Sequence, residues 1–552
     1  MTGLPLPELT PRSEFFWRSG ADGVLRFQRC ADCASLVHPP SAACHRCRGD
    51  DLRVVDVSGR GTVVAVTVNH QVWAPGLEEP YALAEVAIEE DPRVRVTAQV
   101  VGVDPERVRI GEPVEVGFEQ REDVWVPVFT PTGGDPVAEL PDVAESPERI
   151  VAAVRAPLST RRYEHDSIIA GVGSSPLGRR LMRDPLSLTV EACKAAVADA
   201  GLDLSDIDGI ATYPGGGSPG GFAEGGVTAL EDALRLQPTW YNGGPEQPGP
   251  GGSVVEAMLA ISAGLCRHVL VFRTVWQATH AALVRGGRLR PDAGRTVGGP
   301  MTYTAPAGAL SAANVLALGA SHYMHRFGAT RETFGWIALN ARANAARHPE
   351  AIYRDPLTME DYLSARTVSS PFGLYDCDVP CDGAIALVVS AKETARDLRH
   401  PAIGFEAAGT QLVERVSWDQ STLTHEPQVL GPAAHLWTRT DLRPSDVDVA
   451  ELYDGFTFNC LSWLEALGFC GIGEGPAFLD GGKRIALDGE IPVNTHGGQL
   501  SHGRTHGFGL LQEAVVQLRH DAGERQVPNA EVAVVSSGGL TPSSALLLVR
   551  ER

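Results

Sequence analysis

The thirteen residues from Gly201 to Tyr213, GLDLSDIDGIATY, return in altered form from Asp441 to Tyr453 as DLRPSDVDVAELY. Both copies keep a leucine, a Ser-Asp pair, a second Asp and an apolar strand start, and both follow a helical pattern. Later in each half a glycine-rich turn leads into a helix and then an apolar strand. In the first half this is PGPGGSVVEAMLAISAGLCRHVLVFR, starting at Pro248. In the second it is THGFGLLQEAVVQLR, starting at Thr505 and leading on to AEVAVVSSGG. A repeat of this size predicts two similar α/β halves stacked into one domain.

The chain has 552 residues, which is too long for one core, so roughly two or three domains are expected. We place a first domain over residues 1–132, a linker rich in Pro, Gly and acid over 133–162, and the halves of the repeat over 163–400 and 401–552. The formal charge of −21 argues against a nucleic-acid or membrane-surface partner, because phosphate binding needs clustered Lys and Arg. No apolar run reaches the ~18 residues needed to span a bilayer. The start, MTGLPLPELTPRSEFFW, has neither a basic nor an apolar leader segment. Most of the ten cysteines are scattered, a reducing-compartment pattern, so the expectation is a soluble cytoplasmic protein.

Four cysteines do pair. Cys30-x-x-Cys33 and Cys44-x-x-Cys47 are separated by ten residues, and two such knuckles complete a tetrahedral four-thiolate zinc site. With no open ligand position, the Zn2+ is expected to be structural. His38 and His45 lie in the segment but are not needed as ligands. The runs that follow, GTVVAVTVNHQV, YALAEVAIEE, VRVTAQVVGV and EPVEVGFEQ, alternate and are broken by Gly, Pro and Asp, as in a small antiparallel barrel.

The segment VNTHGGQLSHGRTHGFG, from Val493 to Gly509, crowds five glycines and three histidines into seventeen residues ahead of a helix. Glycine is kept where backbone bends sharply or approaches a ligand, and imidazoles beside a helix start can move protons and stabilise developing negative charge. It reads as an active-site loop.

The N-terminal features together, SEFFWRSGADGVLRFQRC with its four-Cys ribbon, GRGTVVAVT and VPVFTPT, resemble the zinc-ribbon/OB-fold proteins associated with acyl-CoA enzymes, over about residues 10–132. The duplicated region resembles the thiolase superfamily, most closely its lipid-transfer-protein-like branch, which includes steroid side-chain aldolases. Matching segments are SSPFGLYDCDVPCDGAIALVVS (369–390), AELYDGFTFNCLSWLEALGFCGIGEG (450–475) and the glycine-histidine loop. The resemblance implies a thiolase fold, layered α-β-α-β-α, preceded by a small zinc ribbon and OB barrel. It also implies a homodimer through the thiolase-like domain and a bulky, plausibly steroid-type, β-hydroxyacyl-CoA substrate with no redox cofactor. A docking enoyl-CoA hydratase is a further expected partner.

Thiolases use two cysteines, and neither is here. The first position falls around Pro248–Gly251, and the second near Val535 and Ser536. Cys377, Cys381, Cys460 and Cys470 align with neither and read as buried small apolar residues. The family's "NEAF" reads Tyr453-Asp454-Gly455-Phe456, its "GHP" reads Gly503-Arg504-Thr505 with His506 beyond, and its "NPSGG" reads Asn494-Thr495-His496-Gly497-Gly498. A site that lost its nucleophiles and kept proton-transfer groups suits retro-aldol cleavage, which needs a base, enolate-stabilising donors and an acid but no covalent intermediate.

Tyr453 is the leading acid/base, provided its pKa near ~10 is lowered by cations such as Arg504; otherwise it is a buried strand-end tyrosine. His506, and less directly His496, can stabilise the enolate or carry its proton, or His496 can brace the loop. Asp454 is either a base or a helix N-cap. Gly251, Gly252, Ser253, Gly497, Gly498, Gly538 and Gly539 are expected against substrate. His502 reads as solvent-facing. Tyr375, Asp376, Asp378 and Asp382 serve either catalysis or a turn, the turn being the favoured reading, and His322 and His325 read as helix residues at an interface or the substrate side.

Two alternatives remain open at this level. One is thioester condensation or thiolysis through Ser253 or Ser537. The other is a non-catalytic acyl-CoA or lipid-binding subunit of a hydratase complex.

Overall fold

The computed structural model describes residues 3–74, 76–216, 220–290, 294–397, 399–538 and 542–551. Three short strands, β1 (Arg26–Cys30), β2 (Leu36–Val37) and β3 (Leu52–Asp56), form an antiparallel sheet in the order β2-β1-β3. The two CxxC knuckles beside it are built alike. Each ends in a left-handed residue, Ala34 (φ 59°) or Arg48 (φ 66°), whose amide returns to the carbonyl of Cys30 (3.0 Å) or Cys44 (2.8 Å).

A five-stranded barrel follows: β4 (Arg60–Asn69), β5 (Tyr81–Ile88), β6 (Asp91–Val100), β7 (Pro113–Arg121) and β8 (Val124–Pro131). The order is β4-β5-β6-β8-β7, closed by β7 pairing back onto β4. The sequence pattern suggested a wholly antiparallel barrel, but β6 and β8 run parallel. An odd number of strands cannot alternate direction all the way round a closed ring, so one neighbouring pair must be parallel. This order and closure are those of an OB-fold.

The repeat appears as the two halves of one nine-stranded sheet, which share their internal strand order apart from an extra edge strand in the first half. The first half contributes β9 (Ser167–Ser174), α1 (Pro185–Asp199), β10 (Gly209–Thr212), β11 (Trp240–Gly243), α2 (Gly249–Ser262) and β12 (His268–Trp276). It continues with α3 (Ala312–Phe327), α4 (Arg331–Ala345) and β13 (Asp382–Ala391). The second half contributes β14 (Ile403–Gly409), α5 (Leu430–Trp437), β15 (Val449–Glu451), α6 (Thr457–Ala466), α7 (Phe508–Arg519), β16 (Val532–Ser537) and β17 (Ser544–Arg550).

The strands run β11-β10-β12-β13-β9 and then, in reverse, β14-β17-β16-β15, and the halves join where β9 meets β14. Helix α1 covers the first half of the sheet and α5 the second, while α2 and α7 touch strands of both halves. That is the expected five-layer α-β-α-β-α order. No helix among the described residues is long and apolar enough to cross a membrane.

The repeated SDxD element now has a physical explanation. The first aspartate of each copy closes a short turn: Asp206 and Asp446 accept the amides of Asp203 and Arg443 at 2.8 Å. The second grips the start of the neighbouring strand. Asp208 accepts the amides of Arg267 and His268 at the head of β12, and Asp448 those of Glu531 and Val532 at the head of β16. Both aspartates satisfy main-chain donors that a sheet edge would otherwise leave unpaired.

The barrel is built into the large domain. Residues Thr367–Ser369 extend the barrel sheet by pairing Ser369 with Asn69 of β4. Asn314, at the start of α3, donates to both Asn69 Oδ1 and Ser369 Oγ at 3.0 Å. His322 of α3 lies 2.7 Å from the carbonyl of Val64, so it is an interface residue, while His325 is exposed.

Arg95 on β6 is wholly buried at this junction. It donates to the carbonyls of Asp419 (3.1 Å), Val143 (2.6 Å) and Ser421, and lies 3.6 Å from Glu85. Val143, within the 133–162 stretch, is therefore held at this junction. Removing a guanidinium that satisfies three buried carbonyls leaves them and Glu85 uncompensated. Arg95→Ala is expected to lower the unfolding free energy by about 3–5 kcal/mol, read as a shift of the urea midpoint.

Candidate active site

The equivalent points of the two halves meet at the seam. The amide of Gly251, in the first turn of α2, donates to Ser537 Oγ at the end of β16 (2.9 Å), and Ser537 Oγ lies 2.9 Å from Ser544 Oγ. A Cβ at Gly251 would stand 2.5 Å from Ser544 Oγ and 2.7 Å from Ser537 Oγ, so a side chain there would have to displace both hydroxyls. Ser253 donates to the carbonyl of Pro250 (2.7 Å). Among the described residues neither Ser253 nor Ser537 has an imidazole or carboxylate bonded to it, and an unassisted hydroxyl is a weak nucleophile. Ser536 Oγ accepts the amide of Tyr453 at 2.8 Å, which ties β16 to the end of β15.

The glycine-histidine loop is stapled to the same strand end. Asn494 bonds both main-chain groups of Leu452, accepting at 2.7 Å and donating at 2.9 Å. Thr495 donates its amide and hydroxyl to Glu451 Oε1 (3.0 and 2.8 Å), and His496 Nδ1 lies 3.2 Å from Glu451 Oε2. Asp454 accepts the amide of Gln499 at 2.8 Å.

Asp454 therefore caps the turn at Gly498–His502 from across the loop, whereas the residue preceding α6 is Phe456. Two of the glycines expected against substrate serve packing instead. A Cβ at Gly497 would meet Ala345 of α4 at 2.5 Å, and one at Gly498 would overlap the Asp454 carboxylate. Gly252 packs on Gln247 and Pro248, and Gly538 on Ser543. Gly539 lies outside the described residues.

Tyr453, Arg504 and His506 are brought together with Asp378, which the sequence reading favours as a turn residue, and with Arg273, which it does not single out. Arg504 Nε is 2.9 Å from Asp378 Oδ2 and 3.0 Å from His506 Nε2. The other ring nitrogen of His506 faces the guanidinium of Arg273, and the ring stacks on Phe222 at 5.4 Å. A neutral imidazole has one N–H and one acceptor. Burial and two flanking guanidiniums hold the His506 pKa well below its ordinary value, so a cationic, proton-donating His506 is not what the structure shows.

Arg273 is 1% exposed in the middle of β12 and donates to the carbonyls of Tyr213 and Phe222 at 2.7 Å. Burial lowers it to about 10. Its sequence signal was a single charge inside the apolar run HVLVFRTVW.

Tyr453 departs from its expected tuning. Arg504 and the amide of Gln499 do pull its pKa down, but burial outweighs them and Asp378 and Glu426 add to the rise, so the hydroxyl stays protonated. Asp378 is also raised by burial, to about 6, against the pull of Arg504. It reaches the site because residues 377–378 pair with the chain at Gly455–Phe456. The other acids of that segment are structural, as expected. Asp376 accepts from Tyr362, Thr457 and Gly373, and Asp382 from Leu181 and Thr279. Tyr375 lies under Arg342.

The expected exposure of His502 is overturned: it is 4% exposed, packed between His348 and His496. Cys381 and Cys460 are buried and Cys377 and Cys470 half-buried, and burial raises all four thiols, which therefore stay protonated.

Elsewhere the four ribbon cysteines converge. Their Sγ atoms all lie within 4.8 Å of one another, with Cys30–Cys47 at 3.4 Å and Cys33–Cys44 at 3.6 Å. These separations are too long for disulfides and suit thiolates about a common tetrahedral ion.

Comparison with known proteins agrees with this geometry. Residues 17–53 match the model "ChsH2, rubredoxin-like zinc ribbon domain", residues 54–119 "ChsH2, C-terminal OB-fold domain", and residues 416–552 "Thiolase C-terminal domain-like". The chain is 34% identical to the steroid side-chain-cleaving aldolase of Thermomonospora curvata, over 70% of this chain and 98% of that protein. The chain belongs to the thiolase-fold aldolases.

It is 32% identical to the 17-hydroxy-3-oxo-4-pregnene-20-carboxyl-CoA lyase of Mycobacterium tuberculosis, over 69% of this chain and 98% of that protein. The solved Ltp2-ChsH2(DUF35) aldolase superposes with a TM-score of 0.61 at 31% identity, covering 70% of this chain and 98% of that one. This aldolase, a carbon–carbon lyase, thus carries the ribbon, the barrel and the thiolase-fold domain in one polypeptide.

The site also makes stability depend on pH in a stated direction. Burial raises the Asp454 carboxyl to about 7 from an ordinary 3.8. The folded state then binds this proton more tightly than the unfolded chain, so the contribution is full at low pH and is lost as pH rises towards 7. Asp454→Asn should flatten the fall in unfolding free energy between pH 4 and about 7, measured by urea titration at several pH values.

Proposed function

We propose that the aldolase cleaves a bulky, steroid-type β-hydroxyacyl-CoA by retro-aldol chemistry into a ketone and a shorter acyl-CoA. One observation carries this reading: no cysteine stands at the first nucleophile position, around Pro248–Gly251, while a carboxylate and two guanidiniums gather around the protonated Tyr453. The names of the two relatives, one cleaving a steroid side chain and the other acting on a 17-hydroxy-pregnene carboxyl-CoA, support the substrate class.

In this reading Asp378, poised near neutral pH, takes the proton of the β-hydroxyl. The Cα–Cβ bond breaks, its electron pair passes to the thioester as an enolate, and the hydroxyl carbon becomes the ketone. Arg504 and Arg273 offset the enolate charge in a water-poor site, where such interactions are strong. Tyr453, protonated, gives its proton to Cα. His506 holds the two guanidiniums apart and in place. His496, paired with Glu451, braces the loop.

Such a substrate is what hydration of an enoyl-CoA produces, so an enoyl-CoA hydratase is the fitting partner enzyme. A homodimer is supported by the edge strand β11, where Tyr241 is 63% exposed, and by exposed Leu259 and Leu265 on and just after α2. The ribbon's four thiolates would hold Zn2+ as a closed structural site.

Tyr453→Phe and Asp378→Asn should each lower kcat by about 10²–10⁴-fold while leaving CoA-thioester binding in place, followed by ketone release. Wild-type protein should form no acyl adduct by intact-mass spectrometry, and an adduct lost on Ser253→Ala or Ser537→Ala would overturn the lyase mechanism. Purified protein should contain one zinc per chain, and its removal by a chelator should lower Tm with the ribbon unfolding.

A further inference from the structure

The polar groups gathered around Tyr453 are almost shut off from water. His506, Tyr453 and Arg273 are buried, and the Asp378 side chain is 6% exposed. Two side chains beside them reach the surface: Arg504, 23% exposed, and Phe222, which is half-buried. The Phe222 ring stacks on that of His506, with centroids 5.4 Å apart and planes 22° from parallel. The Arg504 guanidinium lies over the same ring at 5.8 Å. Arg504 Nε and His506 Nε2 are only 3.0 Å apart, so both occupy one side of the ring. Among these groups, the way in from solvent lies where Arg504 and Phe222 surface.

The ring is held in place through its main chain. The successive carbonyls of Gly221, Phe222 and Ala223 all accept from the end of β12. Their donors are the Trp276 amide (2.9 Å), Arg273 Nη1 (2.7 Å) and Trp276 Nε1 (2.9 Å). Gly221 adopts φ 90°, and a Cβ there would stand 3.0 Å from Gln277 Cα, so only glycine allows this close approach. Such a clamp fixes the ring before a ligand arrives and lowers the ordering cost of binding. Phe222 comes from the first half of the duplicated domain and Arg504 and His506 from the second, so the ring spans the seam.

An aromatic surface partly open to water gains by being covered with another apolar surface. In retro-aldol cleavage the carbon that becomes the ketone carries the hydroxyl that Asp378 deprotonates. Any apolar group on that carbon is therefore held close to Arg504 and Phe222. The guanidiniums suit the thioester oxygen, and the Phe222 ring suits the apolar group. We propose that Phe222 is the wall against which the ring system on the β-carbon packs, so that this residue selects bulky apolar β-hydroxyacyl-CoA substrates over short ones. This rests on the retro-aldol reading for where the β-carbon lies. Phe222 touches substrate but exchanges no proton.

The test uses Phe222→Ala and Phe222→Leu in the full chain, with a steroid-ring β-hydroxyacyl-CoA and β-hydroxyisovaleryl-CoA, whose cleavage gives acetone and acetyl-CoA. Phe222→Ala should raise KM for the steroid thioester at least about tenfold and leave KM for the short one unchanged. Binding is measured by calorimetry with two thioesters that lack the β-hydroxyl, a steroid-ring acyl-CoA and butanoyl-CoA. Phe222→Ala should weaken only the first, again about tenfold. Phe222→Leu keeps part of the apolar surface, should show the same selectivity at about threefold, and decides the matter if the alanine variant does not fold. Failure of the wild type to cleave either β-hydroxy thioester would overturn the retro-aldol reading, while the binding constants would still decide the role of Phe222. If Phe222 only insulates Arg504 and His506, kcat falls alike for both substrates and neither binding constant moves. That result, equal weakening of both thioesters, or a wild type with no preference for the steroid thioester would overturn the proposal.

Discussion

One hydrogen bond across the seam of the two halves, from the Gly251 amide to Ser537 Oγ, defines the centre of this molecule. It forms where the first turn of α2 meets the end of β16, close enough that a Cβ at Gly251 would displace the Ser537 and Ser544 hydroxyls. A thiolate nucleophile is thus excluded by residue type, and the hydroxyls nearby are engaged with one another or with a carbonyl. Chemistry in such a site must run through proton transfer and charge stabilisation. The close contact also pulls Tyr453 into position, through Ser536 on the same strand end.

Desolvation sets the electrostatics around that centre. It lifts Tyr453 despite Arg504, lifts Asp378 to about 6 and Asp454 to about 7, and lowers Arg273 to about 10. Two carboxyls are thereby poised near neutral pH and a phenol is kept as an acid. Withdrawing these groups from water also strengthens every charge interaction among them. The cost is carried by a large packed interior, to which the barrel contributes. Arg95, Asn314 and His322 knit it to the domain that holds the site.

Local chemistry was legible in the sequence wherever neighbours along the chain determine it. The paired CxxC knuckles, the barrel strands, and the SDxD elements are of this kind, since a cap or a strand alternation needs only a few adjacent residues. The duplication exposed the two-half architecture because Asp208 and Asp448 do the same work in each copy. The site was half legible. Tyr453, Arg504 and His506 lie on a recognisable loop and strand end, but Arg273 is 180 residues from Tyr453 in sequence, and Asp378 looks like its structural neighbours Asp376 and Asp382. Only the pairing of residues 377–378 with Gly455–Phe456 selects Asp378 to face Arg504.

By itself the sequence determined the division into ribbon, barrel and duplicated domain, and the loss of both cysteine nucleophiles, because these depend on residue identity and spacing. Tertiary structure decided the protonation of the site. Whether a tyrosine is a base or an acid, and whether a histidine carries charge, depends on burial and on which distant groups face it. For His506 those are two arginines, for His496 the Glu451 carboxylate, and for Tyr453 a dry wall of residues drawn from both halves. Electrostatic free energy depends on distance through space and on access to water, and neither is written in the order of residues along a chain.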